Sequence, residues 1–198
     1  MKRHTHVSIM GTIGSGKTTV ARLLASELKF QLLEEHFGEN AFLPRLTWQL
    51  LEAGRVLSDA RDPLWKKGYR GIVQDVPIQQ DVFSYAKAQH VLGNMDDAEW
   101  RLYQKIYRSF EPQLPVPDLV IYLETSVSEL TRRIGSRGRG YEQKIPANYL
   151  ELLDMLNHKW LSENKTIPVL TIETDGLNIV RSKKAQEELL QKVRKTLT

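Results

Sequence analysis

Apolar residues gather along the chain in short runs at 6–10, 30–33, 69–74, 118–123 and 168–173, each closed by turn or breaker residues. Between them lie longer stretches with the three-to-four-residue apolar spacing of helices. That alternation predicts an α/β fold, a parallel five-stranded sheet flanked by helices. Val20, Ala21, Leu23, Leu24 and Leu28 put one apolar face on a helix directly after the first run. Ser126 and Glu129 have the spacing of a capping box, and Asn94 is a candidate cap for a helix over Asp96 to Phe110. Pro112, Pro115 and Pro117 end that helix ahead of the fourth run. In an open parallel sheet, ligands sit beyond the carboxyl ends of the strands. The segments to inspect for chemistry are therefore Gly11–Thr18, Glu34–Glu35, Asp75 and Glu124–Ser126.

The first segment reads Gly11-Thr12-Ile13-Gly14-Ser15-Gly16-Lys17-Thr18, which fulfils the P-loop pattern G-x-x-x-x-G-K-[ST] between a strand and a helix. Glycines at these positions let the backbone turn back on itself so that successive N–H groups face phosphate oxygens, and a side chain on any of the three is expected to intrude. Lys17 is placed to reach the β- and γ-phosphates, Thr18 to offer its hydroxyl to Mg²⁺, and the helix N-terminus adds its positive dipole end. The pattern points to a P-loop NTPase-type fold that binds ATP with Mg²⁺.

Composition narrows the setting. A chain of 198 residues without an internal repeat fits a single domain, and with no cysteine it can hold neither a disulfide framework nor a cysteine-based zinc site. The first residues, Met1-Lys2-Arg3-His4, run straight into a strand and no apolar stretch approaches membrane-spanning length, so a soluble cytoplasmic protein with no membrane partner is expected. The net charge of +4 raises the question of nucleic acid, but much of the basic excess lies at 132–139 and along 181–195. The aromatics are scattered through helical patterns instead of interleaving with those basic residues, which argues against a nucleic-acid surface.

Further candidates follow the other strands. Glu34 and Glu35 place carboxylates at a strand end facing the bound phosphates, where one can serve as a general base toward a hydroxyl; a solvated acidic turn is the alternative. Asp75 closes the third strand opposite Thr18, as a metal-site carboxylate or as a cap before Pro77. Pro77 biases Val76 toward an extended backbone. Asp81 lies near the start of the next helix, where it can read a substrate or favour the helix dipole. The segment Arg132-Arg133-Ile134-Gly135-Ser136-Arg137-Gly138-Arg139-Gly140-Tyr141-Glu142 has the make-up of an arginine-rich lid between two helices, with glycines as hinges.

Together these stretches resemble the deoxynucleoside kinase family, the group containing deoxycytidine, deoxyguanosine and deoxyadenosine kinases, over nearly the whole chain. Glu35, Asn40, Phe42 and Leu43 meet the family's pattern after the second strand; Arg133, Ile134, Arg137, Arg139 and Glu142, followed by Ile145-Pro146 and Tyr149-Leu150, meet its lid pattern. The resemblance implies transfer of the γ-phosphoryl of ATP to the 5′-hydroxyl of a deoxynucleoside, with Glu35 as general base. It also implies phosphate contacts for Arg133, Arg137 and Arg139, a sugar contact for Glu142, and a homodimer paired through helices at about 45–60 and 79–92. Trp48 and Gln49 stand where the family reads the base, stacking and hydrogen-bonding on its edge, or else they are an ordinary core and surface pair. One departure is that Asp75-Val76-Pro77 lacks the arginine the family usually carries after its third strand, while Asp75 and Asp81 keep the expected six-residue separation. Two other readings compete: a nucleoside monophosphate kinase of the thymidylate type, against which Glu35 argues because a carboxylate would repel the acceptor phosphate, and a nucleotide-binding regulator that has lost turnover.

Overall fold

The computed structural model describes residues 5–34, 68–138, 145–180 and 182–197. Strands β1 (Thr5–Gly11), β2 (Gln31–Leu33), β3 (Gly71–Asp75), β4 (Leu119–Glu124) and β5 (Val169–Glu173) form one sheet in the order β2-β3-β1-β4-β5. Every pairing is parallel, with registers such as Ser8↔Gln74 and Ile9↔Ile121. The five predicted runs thus match the five strands to within two residues at either end.

β1 is central because both its faces are apolar or satisfied. Val7 and Ile9 pack with Val20, Ala21 and Leu24 of α1 (Lys17–Leu28) and with Leu189, Leu190 and Val193 of the C-terminal helix α7 (Lys183–Leu197). On the other face Met10, Val120 and Tyr122 meet Trp160 and Leu161 of α6 (Ala147–Glu163). Strands buried on both faces read as continuous apolar runs, as the sequence does here.

After β3 the chain enters one long helical stretch in three parts: α2 (Ile78–Gln80), a π-helical segment (Asp81–Ala86) and α3 (Lys87–Val91). Next comes α4 (Asp97–Phe110), whose cap is Asp96 and not the expected Asn94. Asp96 Oδ1 accepts from the N–H groups of Ala98 and Glu99, and Glu99 reaches back to the Asp96 N–H. Asn94 instead bonds back to Gln89 beside Gly93, which ends the preceding helix at φ 74°.

α5 (Val127–Arg137) starts at Ser126, whose hydroxyl accepts from the Glu129 N–H; the Glu129 carboxylate turns to Arg132 and Arg133, so only half of the expected box forms. Gly135 lies inside this helix, which corrects its reading as a hinge. The break comes at Gly138, in the left-handed region at φ 69°.

Candidate active site

The P-loop runs from the end of β1 into α1, and its three glycines are needed for different reasons. A Cβ on Gly11 would stand 2.6 Å from Ser15 Oγ and 3.0 Å from the Leu123 carbonyl; one on Gly14, at φ 88°, would meet Ile134 Cγ1 at 3.0 Å. Around Gly16 there is nothing within 4 Å, so its requirement is the left-handed φ of 100° and not space, contrary to the expectation of three equal intrusions. Gly16 is also the N-cap of α1 and offers no side-chain acceptor, which leaves the first N–H groups of the helix open for an anion. Lys17 Nζ folds over the loop onto the carbonyls of Gly11 (2.9 Å) and Thr12 (3.2 Å) and lies 3.4 Å from the Tyr85 hydroxyl.

Asp75 ends β3 beside this loop and is only 4% exposed. Burial pushes its carboxyl above the usual carboxylate range, and a hydrogen bond with Thr18 and the charge of Lys17 pull the other way. Its Oδ1 is buried with no hydrogen-bond partner among the described residues. An orphaned carboxylate oxygen next to the P-loop threonine fits a hard divalent cation with its water shell. The next residue departs from expectation: Val76 is left-handed at φ 70°, not extended, and donates its N–H to the Ile9 carbonyl at 3.1 Å. A β-branched side chain there is a genuine outlier, held at the functional end of the sheet.

Gln80 and Asn157, 1% and 0% exposed, had no sequence signal. Gln80 Oε1 accepts from the Gly11 N–H (3.2 Å), and its Nε2 donates to the Gly11 carbonyl (2.7 Å) and to Asn157 Oδ1 (3.2 Å). Asn157 Nδ2 donates to Thr12 Oγ1 at 3.2 Å. Asp81 follows at the first position of the π segment, where its charge adds to burial in raising the Tyr103 hydroxyl above the tyrosine range.

Glu34, at the end of β2, is held by the Arg22 guanidinium of α1, with Nη2 donating to Oε2 at 3.1 Å. Of the arginine cluster, Arg132, Arg133 and Arg137 lie on α5. Arg133 Nη1 donates to the Ser15 carbonyl (3.1 Å) and Thr174 Oγ1 (3.2 Å), Nη2 donates to the Thr174 carbonyl, and Nε pairs with Glu129 at 2.7 Å. Its guanidinium thus braces the P-loop backbone against the end of β5. Arg132 and Arg133 together hold the Glu129 carboxyl at about 2. Arg137 is the exposed last residue of the helix. Glu35, Trp48, Gln49, Arg139 and Glu142 lie outside the described residues, as does the rest of the lid segment from Arg139 to Glu142.

The geometry therefore brings together a phosphate cradle, a lysine, a buried carboxylate and an acidic helix start, all at the carboxyl end of one sheet. A model of the deoxynucleoside kinase family matches residues 7–198. The chain belongs to the deoxynucleoside kinase family. The deoxyguanosine kinase of Bacillus subtilis (strain 168) is 27% identical over 207 residues, covering 96% of this chain and 97% of the relative. The deoxyadenosine kinase of Dictyostelium discoideum is 30% identical over 178 residues, covering 85% and 71%. Among solved structures, a deoxyadenosine kinase from M. mycoides superposes with a TM-score of 0.81 at 22% identity, covering 96% of this chain and 100% of that one, which shows the shared fold. A deoxynucleoside kinase is a phosphotransferase acting on a hydroxyl group, and the P-loop is the nucleotide-binding half of that chemistry. No described helix is long and apolar enough to cross a membrane.

Proposed function

We propose that this deoxynucleoside kinase acts as a single cytoplasmic domain, paired as a homodimer, on the 5′-hydroxyl of its substrate with Glu35 as general base. The observation that carries the reading is the P-loop itself: Lys17 rests on the Gly11 and Thr12 carbonyls, poised above the open N-terminus of α1. Bound ATP would draw the ammonium from these carbonyls to the β- and γ-phosphates, where it stabilises charge on the transferring group. Thr18 and Asp75 would hold Mg²⁺, which supplies charge neutralisation and alignment of the phosphates when bound.

The acceptor oxygen forms its bond to the γ-phosphorus as the bond to the ADP oxygen breaks, and the hydroxyl proton passes to the Glu35 carboxylate. Arg22 occupies Glu34, which directs Glu34 toward α1 and supports its neighbour as the base. Asp81 would face the nucleoside base, with Trp48 and Gln49 across from it, Glu142 would contact the sugar, and Arg137 and Arg139 would close on the phosphates. Exposed Phe83, Val91 and Leu92 along the helical stretch after β3 support pairing of two copies through that face.

The test is a coupled assay with ATP against deoxyadenosine, deoxyguanosine, deoxycytidine, thymidine and their monophosphates, on wild type, Glu35→Gln and Glu34→Gln. Transfer to a deoxynucleoside that falls on the order of 10²-fold or more in Glu35→Gln, with ATP affinity unchanged, is the expected result. Glu34→Gln should keep most of the activity. Wild-type turnover in Glu35→Gln rejects Glu35 as the base.

A further inference from the structure

The β1–β3 ladder pairs residues only as far as Ile9↔Asp75, because the chain leaves the sheet at left-handed Val76. The Val76 N–H still reaches the Ile9 carbonyl at 3.1 Å, so Ile9 presents its backbone groups to the β3 side. Two residues on, Gly11 presents its own N–H and C=O to the same side by the period of a strand, and no strand among the described residues remains there to receive them. The Gln80 side chain takes that place: its amide accepts from the N–H and donates to the C=O of Gly11, as the two peptide groups flanking a further strand residue would. The amide orientation follows from the partners, since a reversed Gln80 would set NH₂ against N–H and oxygen against oxygen.

Two consequences meet at one atom. The Gly11 carbonyl accepts from both Gln80 Nε2 (2.7 Å) and Lys17 Nζ (2.9 Å). When Lys17 moves to a phosphate, that buried carbonyl keeps a donor, so release of the lysine leaves no orphaned acceptor. Gln80 also ends α2 directly before Asp81, and Tyr85, five residues on, lies 3.4 Å from Lys17 Nζ. A π-helix bonds residue i to i+5 and so stacks residues five apart, which is how Gln80 and Tyr85 both reach the P-loop from one helix. Asn157 completes the connection by accepting from Gln80 and donating to Thr12.

We propose that Gln80 and Asn157 are positioning residues, an amide latch that registers the P-loop against the helix carrying Asp81 and lets the nucleotide and the nucleoside alter each other's affinity. The identity of the two ligands rests on the kinase reading above; the contact between latch and P-loop does not. In the full-length protein, the dissociation constant of the β,γ-imido analogue of ATP is measured with and without each of deoxyadenosine, deoxyguanosine and deoxycytidine, for wild type, Gln80→Met, Asn157→Leu and the double variant.

Gln80→Met should weaken the analogue by about tenfold, the scale of one buried group left unpaired. It should also remove the effect of nucleoside on analogue affinity, and the double variant should cost little more than Gln80→Met alone, because the two amides act as a unit. In turnover, KM for ATP should rise more than kcat falls. Should Gln80→Met fail to fold by circular dichroism, Gln80→Glu carries the same measurement, keeping the acceptor for the Gly11 N–H and losing both donors.

Unchanged analogue affinity in folded Gln80 variants overturns the latch, and so does a wild type in which nucleoside leaves analogue affinity untouched while being phosphorylated. A wild type that binds the analogue, loses affinity in Gln80→Met and phosphorylates no nucleoside keeps the latch on the P-loop and rejects the kinase reading instead.

Discussion

The two ends of the sheet both bury polar side chains, and they do so to opposite purpose. From the amino end of β1 to its middle, the His6, Ser8 and Gln74 side chains bond to one another across β1 and β3, and the Asp118 carboxylate accepts from the His6 backbone N–H. His6 Nδ1 is the buried atom there without a partner among the described residues. At the carboxyl end, Gln80 and Asn157 spend their amides on the backbone and hydroxyl of the P-loop, while Asp75 Oδ1 and Ser15 Oγ lack partners among the described residues. The unmet His6 Nδ1 belongs to a cluster of strand side chains bonded to one another; the unmet atoms at the carboxyl end stand beside a helix N-terminus open to an anion. Position relative to strand direction, more than polarity, separates a structural cluster from a chemical one.

If this contrast holds, damage at the carboxyl end should cost activity with little loss of stability, and damage at the amino end should do the reverse. Lys17→Ala is the strongest test. Removing the ammonium takes charge from phosphates in both the ground and transition states, so kcat/KM should fall by roughly 10²–10³-fold, with ATP affinity falling as well. The melting temperature without nucleotide should stay within a few degrees of wild type. A turnover loss matched by a collapse in stability would erase the distinction.

Asp75→Asn is next, and it should move activity and stability in opposite directions. Burial raises the Asp75 pKa above 3.8, so between that value and the raised one the native state binds more protons than the unfolded. Stability therefore falls as pH rises through the window, and above it the carboxylate, once ionised, is a standing penalty. The asparagine should raise the nucleotide-free melting temperature by about 2–4 °C, the shift of about 1 kcal/mol in a chain of this size. Turnover should drop by roughly 10–100-fold. Scanning calorimetry at pH 7 beside the coupled assay reads both.

His6→Gln probes the amino end. Burial lowers the His6 pKa below 6.5, so below that pH the unfolded state takes up the proton first and stability falls as the solution is acidified. Glutamine keeps a donor for Gln74 and cannot titrate. The variant should flatten the fall in melting temperature between pH 6.5 and the lowered native value, leaving kcat at pH 7.5 unchanged. An altered kcat would mean that the two ends are coupled through the sheet.

The local features were the ones legible in the sequence. Five apolar runs became five strands because β1, β3 and β4 are buried along most of their length, and the P-loop was readable because its glycines fix backbone shape within eight consecutive residues. What escaped was long-range or irregular. Gln80 and Asn157 meet partners 69 and 145 residues away, and nothing in their neighbours marks them. The π segment breaks the three-to-four-residue spacing on which helix reading depends, hiding Tyr85 from any comparison with Lys17. Arg133, read through resemblance as a phosphate ligand, has its guanidinium on Glu129, Ser15 and Thr174, an arrangement set by the approach of β5 to the P-loop. Val76 is extended by the local rule for a residue before proline, yet the turn after β3 that delivers Asp75 holds it left-handed.

That outlier gives the finest test of the comparison, because strain stored at the chemical end should show as an unusually mild response to glycine. In an ordinary strand position, Val→Gly loses the burial of the side chain, about 1.5–3 kcal/mol, and adds the backbone freedom of an unfolded glycine, about 0.4–1 kcal/mol. Val73, fully buried two residues before Asp75 in β3, should show that full cost. At Val76 the same losses are offset by relief of the left-handed backbone, roughly 1–2 kcal/mol for a residue carrying a Cβ. Val76→Gly should therefore destabilise by only about 1 kcal/mol, lowering the melting temperature by about 2–4 °C, well short of the drop in Val73→Gly. Urea unfolding of both variants, with equal slopes to certify two-state behaviour, gives the two values. Equal costs would mean that Val76 carries no strain in solution, and that the turn beyond β3 is held by packing alone.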